Sequence, residues 1–262
     1  MRSGQKFYYL IELQFLGFRY HGWQKQPHVK TIQGMVKKTL CYIFDHKDFK
    51  TLASGRTDKM VSANSFYFEL FTYEELSSHK LLKDLNQNLP KDMKVLSVKE
   101  VDSKFNIIHN SKIKEYLYLF SFGEKNHPFS APFIMNFKED LDLTLMKKGA
   151  KLFEGVHNFQ KYCYKPSVDT QFEREILYSR IFENDFLTAN FFPEQSYIYK
   201  VRGKGFMRHQ IRLMMGTLLR LGHHEITLQD IHSSLIGGDN EPLGVMAPPS
   251  GLMLNTVEFE GI

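Results

Sequence analysis

Six segments between Lys6 and Val101 alternate in character in a way that leaves few folds open to this chain. Lys6 to Phe15 clusters Phe7, Tyr8, Tyr9 and Ile11 as a half-buried or central strand does. Thr31 then offers an N-cap ahead of Ile32, Met35, Val36, Leu40 and Ile43, which recur at helical spacing with Lys37 and Lys38 opposite. Phe49, Thr51 and Leu52, and then Phe66, Tyr67 and Phe68, read as two strands flanking a loop. Thr72 and Glu75 form a capping-box pattern for a helix carrying Leu76, Leu81, Leu82 and Leu85 that stops near Pro90, and Met93 to Val101 alternates as a strand. Strand, helix, strand, strand, helix, strand is the split βαβ order, with three of its four strands placed clearly by pattern.

The second part of the chain has the same ingredients. Phe105 to Lys114 is a basic, Asn-rich connector, followed by a strand through Tyr116, Leu117, Tyr118, Leu119 and Phe120. A helix over Leu143 to Phe153 leads to a predicted meander of strands at Glu173 to Phe182, Phe186 to Phe192 and Ser196 to Val201. Met207, Ile211, Met214, Met215, Leu218 and Leu221 give the next helix a broad apolar stripe, with Gly222 as its expected C-cap and a last strand through Val257 and Phe259. The expected class is α+β. Two ferredoxin-like-related halves of mostly antiparallel sheet are expected, an N-terminal α/β half over residues 1–105 and a C-terminal one over 106–262.

A chain of 262 residues can bury a sizeable core, and 42% hydrophobic with 24% charged residues is ordinary for a globular protein. The two cysteines, Cys41 and Cys163, lie far apart with no Cys or His at zinc spacing, which speaks against a disulfide framework or structural metal and for a reducing cytoplasm. Glu12 interrupts the apolar run after Phe7, so no signal peptide is read at the start, and no stretch approaches the roughly 18 apolar residues of a membrane span. The formal charge of +5 suits a polyanionic partner without demanding one. Its distribution is more telling: Lys200 to His224 holds six Lys or Arg, three His and no Asp or Glu. That makes Lys200, Arg202, Lys204, Arg208 and His209 candidates for a phosphate-contacting face.

The loop Ala53 to Ala63, ASGRTDKMVSA, carries the candidate chemistry. Gly55 permits a turn, and Arg56, Thr57 and Asp58 then present a cation, a hydroxyl and a carboxylate in succession. Taken alone, that tetrapeptide reads as an Asp-capped turn. Its setting changes the reading. Gly55 to Asp58 with Val61 and Ala63 resembles the Gly-Arg-Thr-Asp-Ala-Gly-Val-His-Ala loop of the tRNA pseudouridine synthase A family, with Lys59, Met60 and Ser62 as departures. Further segments are similar to the family's in the family's order: Tyr20, Gly22, Trp23, Gln24 and Gln26; Lys114, Tyr116 and Tyr118; Glu154, Gly155, His157 and Phe159; Gly203 to Arg212; Ala247 to Leu254. Phe105, Asn106, Ile107 and Ile108 stand where the family has Phe-His-Ala-Arg, so that segment's histidine and arginine are absent. Gly203 and Gly205 could also open a phosphate loop, but the Walker pattern and a third glycine at dinucleotide spacing are absent.

The resemblance implies an isomerase that converts uridine to pseudouridine in the anticodon stem-loop of tRNA, at family positions 38–40, in a central RNA-binding cleft. It implies Asp58 as the catalytic carboxylate, Arg212 as its ion-pair partner, Tyr116 as the ring that stacks on the target base, and Arg56 as a neighbour in the RNA-facing loop. Bottom-up, Arg212 beside an apolar helix stripe also needs an anionic partner, unless it snorkels to solvent or phosphate. The partners implied are tRNA and a second copy of the chain, with no membrane, metal or nucleotide cofactor. Two other readings compete: an RNA-binding paralogue with altered targets or little catalysis, because the rim residues depart from the pattern, and a glycoside-processing enzyme with paired carboxylates. The joint presence of Asp58, Tyr116 and Arg212 weighs against the first, and the lack of a second acid in a matched motif against the second.

Overall fold

In the computed structural model, which describes residues 5–238 and 241–260, the first apolar run is strand β1, Phe7–Phe15. Helix α1, Ile32–Phe44, follows where Thr31 accepts the Gly34 N–H at 3.2 Å, and it turns Ile32, Val36 and Leu40 inward while Lys38 stays exposed. Strands β2, Phe49–Ala53, and β3, Ser62–Thr72, flank the candidate loop; helix α2, Ser78–Asn88, and strand β4, Met93–Val101, come next. The strands lie in the order β4-β1-β3-β2, and every neighbouring pair is antiparallel, with Ile11 opposite Phe68 and Val98, and Thr51 opposite Leu70. β3 is therefore inserted between β1 and β2, which is what the split βαβ order requires. The last strand, β10, Leu252–Phe259, also pairs with β3, and the residues up to Lys112 form one compact unit with those from Leu254 onward.

One local expectation fails here. Thr72 does not cap α2: it ends β3, opposite Phe7 and Phe49, and its hydroxyl accepts the Glu74 N–H, while Ser77 caps the helix from one turn closer. A β-branched residue paired on both sides satisfies its backbone in the sheet, so the helix starts only after the chain has left it. The connector is also partly ordered as a short helix, α3, Ile107–Asn110, because the Asn106 side chain accepts the N–H groups of Ile108 and His109.

The second compact unit spans Ile113 to Met253. It contains most of strand β5, Ser111–Phe122, followed by β6, Met135–Phe137, helix α4, Leu143–Leu152, and strands β7, Gly155–Asn158, β8, Glu173–Glu183, and β9, Tyr197–Gly203. Helices α5, Gln210–Gly222, and α6, Leu228–Ser234, precede β10, Leu252–Phe259. β9 lies between β5 and β8, antiparallel to both, so β5, α4, β8, β9 and α5 repeat the split pattern; β7 extends this sheet beyond β8, and β6 runs parallel to β5. The class is α+β with mostly antiparallel sheet, as expected.

Phe186 to Phe192 is not the predicted strand. It is a loop folded on Asn184, whose side chain bonds both backbone groups of Leu187, and Leu187 and Phe192 rest on the cluster of Leu117, Leu119, Ile134 and Ile198. Its apolar residues serve packing rather than pairing. Gly222 likewise does not cap α5 but ends it, with His223 as the cap and His224 left-handed. A Cβ on Gly222 would stand 2.8 Å from the Met146 sulfur, so this glycine is there for close approach to α4. No helix among the described residues is long and apolar enough to cross a membrane.

Candidate active site

The loop between β2 and β3 is held at several backbone positions. The Ser54 N–H donates to the Tyr67 carbonyl at 3.1 Å, Trp23 N–H to Thr57 at 3.2 Å, Met60 N–H to Tyr20 at 3.0 Å, and Val61 N–H closes a turn on the Asp58 carbonyl at 3.2 Å. Three of these four bonds run to segments outside the loop, and two of them to the Tyr20–Trp23 run. That run is a clasp. The Trp23 indole, 2% exposed, packs 4.4 Å from the Phe66 ring, and the Tyr20 hydroxyl donates to Asp92 Oδ1 at 2.8 Å beside the Arg19–Asp92 ion pair. Burial and then the Asp92 carboxylate push the Tyr20 phenol up to about 12, so it remains a neutral donor at physiological pH. Gly22, at φ 76°, allows the contact: a Cβ there would lie 2.3 Å from the Thr57 carbonyl oxygen.

The departures from the family's loop fit this frame. Met60, where the family has Gly, adopts φ 67°, so the left-handed turn is retained on a residue that resists it. Ser62, where the family has His, is buried and its hydroxyl accepts the Gly17 N–H at 2.9 Å. Arg56 and Lys59 are exposed, Thr57 is buried, and Asp58 lies between these extremes.

The remaining candidates lie on the second unit. Tyr116 is on β5 opposite Val201, and Phe206 meets its ring edge-on at 5.2 Å. Lys114, two residues earlier and so on the same face of the strand, is buried enough that its ammonium pKa is pushed down; the sequence singled it out only as part of a motif. The basic stretch does not present its cations equally. Lys200 is paired with Glu115 at 3.0 Å and Lys204 with Glu175 at 2.6 Å, while Arg202 is opposite Glu115 in register. Arg208 is exposed and stands over the Tyr164 ring, and His209, left-handed at φ 60°, is the N-cap residue of α5.

Arg212 is fixed in place. Its Nε donates to the Ala247 carbonyl at 2.7 Å, the Ala247 N–H returns a bond to the Arg212 carbonyl at 3.1 Å, and Nη1 is 3.4 Å from His209 Nδ1. The next residue, Pro248, accepts the buried Tyr118 hydroxyl at 2.8 Å, whose pKa burial pushes up, so that the Ala247–Pro248 turn is tied to both β5 and α5. Residues from three separated stretches thus converge on one turn within this unit.

The family model described as tRNA pseudouridine synthase matches residues 150–260. Over nearly its whole length the chain is similar to curated proteins of one kind. It is 31% identical to tRNA pseudouridine synthase A of Dictyoglomus thermophilum, covering 95% of this chain and 98% of that one, and 32% identical to the Aquifex aeolicus protein of the same name, again over 95% and 98%. The Listeria monocytogenes serotype 4a protein is 29% identical over 96% and 99%. The chain belongs to the tRNA pseudouridine synthase A family. As a member of the tRNA pseudouridine synthase A family, it carries the Arg212 helix and the Ala247 turn inside the span that the family model matches, and the Asp58 loop in the part reached by the full-length relatives.

Proposed function

We propose that this protein isomerises uridine to pseudouridine in the anticodon stem-loop of tRNA. The observation that carries the reading is the Asp58 loop, a carboxylate on a short segment clasped by the Tyr20–Trp23 run, in a chain whose full length matches the tRNA pseudouridine synthase A family. The reaction breaks the bond from uracil N1 to ribose C1′, turns the base, and forms C5–C1′; the C5 proton leaves and N1 gains one, so nothing is consumed. It requires a carboxylate that either attacks C1′ or removes the C2′ proton, and Asp58 fills that role on either route. The base must leave its stack for a pocket with an aromatic face, which Tyr116 supplies.

In this reading residues 1–105 contribute Asp58 and Arg56, and residues 106–262 contribute Tyr116 and Arg212, with Arg212 paired to Asp58. Arg202, Arg208 and His209 contact RNA directly. Lys200 and Lys204 join them by exchanging Glu115 and Glu175 for phosphate, an inexpensive exchange for the exposed Lys204 pair. The protein acts as a homodimer, as its family resemblance implies, in the reducing cytoplasm that its two widely separated cysteines suit.

Asp58→Asn tests the assignment, because the amide keeps the shape and loses both nucleophilicity and basicity. We expect tritium release from 5-labelled uridine in tRNA to fall about a thousandfold or more, with tRNA affinity within a few-fold of wild type. Substantial turnover by the variant would move catalysis to another residue.

A further inference from the structure

A second aromatic site, with two cations against its ring, lies beside the Arg212 end of α5. Tyr164 belongs to no matched motif. Its half-buried ring has Lys165 Nζ at 5.3 Å and Arg208 Cζ at 5.3 Å from the centroid, and His209 meets it edge-on at 5.0 Å. The arrangement is mounted firmly, since the Tyr164 N–H donates to the Arg208 carbonyl at 3.1 Å and His209 in turn lies 3.4 Å from Arg212. Among the described residues neither Lys165 nor Arg208 forms an ion pair with an acid, in contrast to Lys200 and Lys204. Two like charges gathered on one ring repel each other in the free protein, and an anion between them relieves that repulsion.

The backbone points the same way. Lys165 is left-handed at φ 47° immediately before Pro166, where the following ring disfavours helical conformations further, and His209 is left-handed at φ 60°. Glycine or asparagine would hold either turn with less strain, and strain kept on residues that surround one group is characteristic of functional sites.

We propose that Tyr164, Lys165 and Arg208 form an RNA grip, with a phosphate between the two cations and a nucleobase against the open part of the Tyr164 ring. This rests on the reading that the protein acts on tRNA, and it adds to Arg208 two residues, Tyr164 and Lys165, that no motif predicted. Ring and cations together match the way proteins hold unpaired nucleotides.

The test measures affinity for an unmodified tRNA transcript at several salt concentrations, alongside thermal unfolding. Lys165→Asn removes the charge and suits the left-handed turn. We expect its unfolding midpoint to stay level or rise, its affinity to fall several-fold, and its log Kd against log salt slope to flatten by up to about one unit. Tyr164→Leu should weaken binding roughly tenfold, and Tyr164→Phe, which keeps the ring face, should bind as wild type does. Wild-type affinity and slope in Lys165→Asn, or equal losses in Tyr164→Leu and Tyr164→Phe, overturn the proposal. Because binding is read without chemistry, a wild type that converts no uridine would defeat the functional reading and leave this measurement intact.

Discussion

Glu69 shows how much one side chain can change the molecule's response to pH. It lies on β3 at 1% exposure, its carboxylate accepts the Ile107 N–H, and Oε1 has no partner. Burial pushes its pKa up to about 7 from 4.5, with the Ile107 bond acting the other way. An acid whose folded pKa is raised binds its proton more tightly in the native state, so the contribution of Glu69 to stability is greatest below about pH 4.5 and falls as pH rises through the interval to about 7. Glu69→Gln should remove that slope and raise unfolding free energy at pH 8 by on the order of 1–3 kcal/mol, measured by urea denaturation across pH. A variant that keeps the wild-type slope would place the titration elsewhere. Met60 is a second case: Met60→Gly relieves a left-handed methionine and should stabilise by about 0.5–1 kcal/mol, the steric relief exceeding the added chain entropy.

At the level of elements, the Asp58 loop is shaped less by its own residues than by the segment that crosses it. Gly22 and Gly17 both touch its backbone, at 2.3 Å from the Thr57 oxygen and 2.0 Å from the Val61 oxygen for a Cβ built on each. Gly22→Ala therefore meets both a left-handed backbone and a carbonyl, and we expect a loss of about 3 kcal/mol or more in stability. Asp58 would be displaced with the loop, so isomerisation at a temperature where the variant is folded should drop about a hundredfold. Near-wild-type tritium release from folded Gly22→Ala would show that the clasp does not position the carboxylate. Helix α5 depends on the same kind of contact, because Gly216 lies against the Val245 carbonyl at 1.5 Å from a built Cβ. Close approach is what all three glycines provide, and Gly22 adds a left-handed backbone.

For the molecule as a whole, the proposal that Asp58 and Arg212 act together is open to a direct test. A double-mutant cycle with Asp58→Asn and Arg212→Leu, read by unfolding free energy, should give a coupling of about 1–3 kcal/mol if they act as a pair, and additivity within about 0.5 kcal/mol would remove the pair from the mechanism. Arg212→Lys should restore only part of the activity lost in Arg212→Leu, because an ammonium cannot both hold the Ala247 carbonyl through Nε and present a fork.

Legible in the linear chain were the order of strands and helices through β4, the Thr31 cap, the α+β class, and the loop that presents Asp58. Those features depend on periodicity and turn chemistry over a few neighbouring residues, which a sequence displays directly. Other features were decided by residues far apart. Lys200 and Arg208 look alike in a basic stretch, yet one faces Glu115 across β5 and β9 while the other rests on Tyr164. Glu69 alternates like a solvent-facing residue but is covered by the start of α3, and Gly222 looks like a cap but serves an approach to Met146. Whether a charge is spent, a carboxylate is dry, or a glycine is needed depends on what packs against it, and that is set only when the strands pair and the helices close over them.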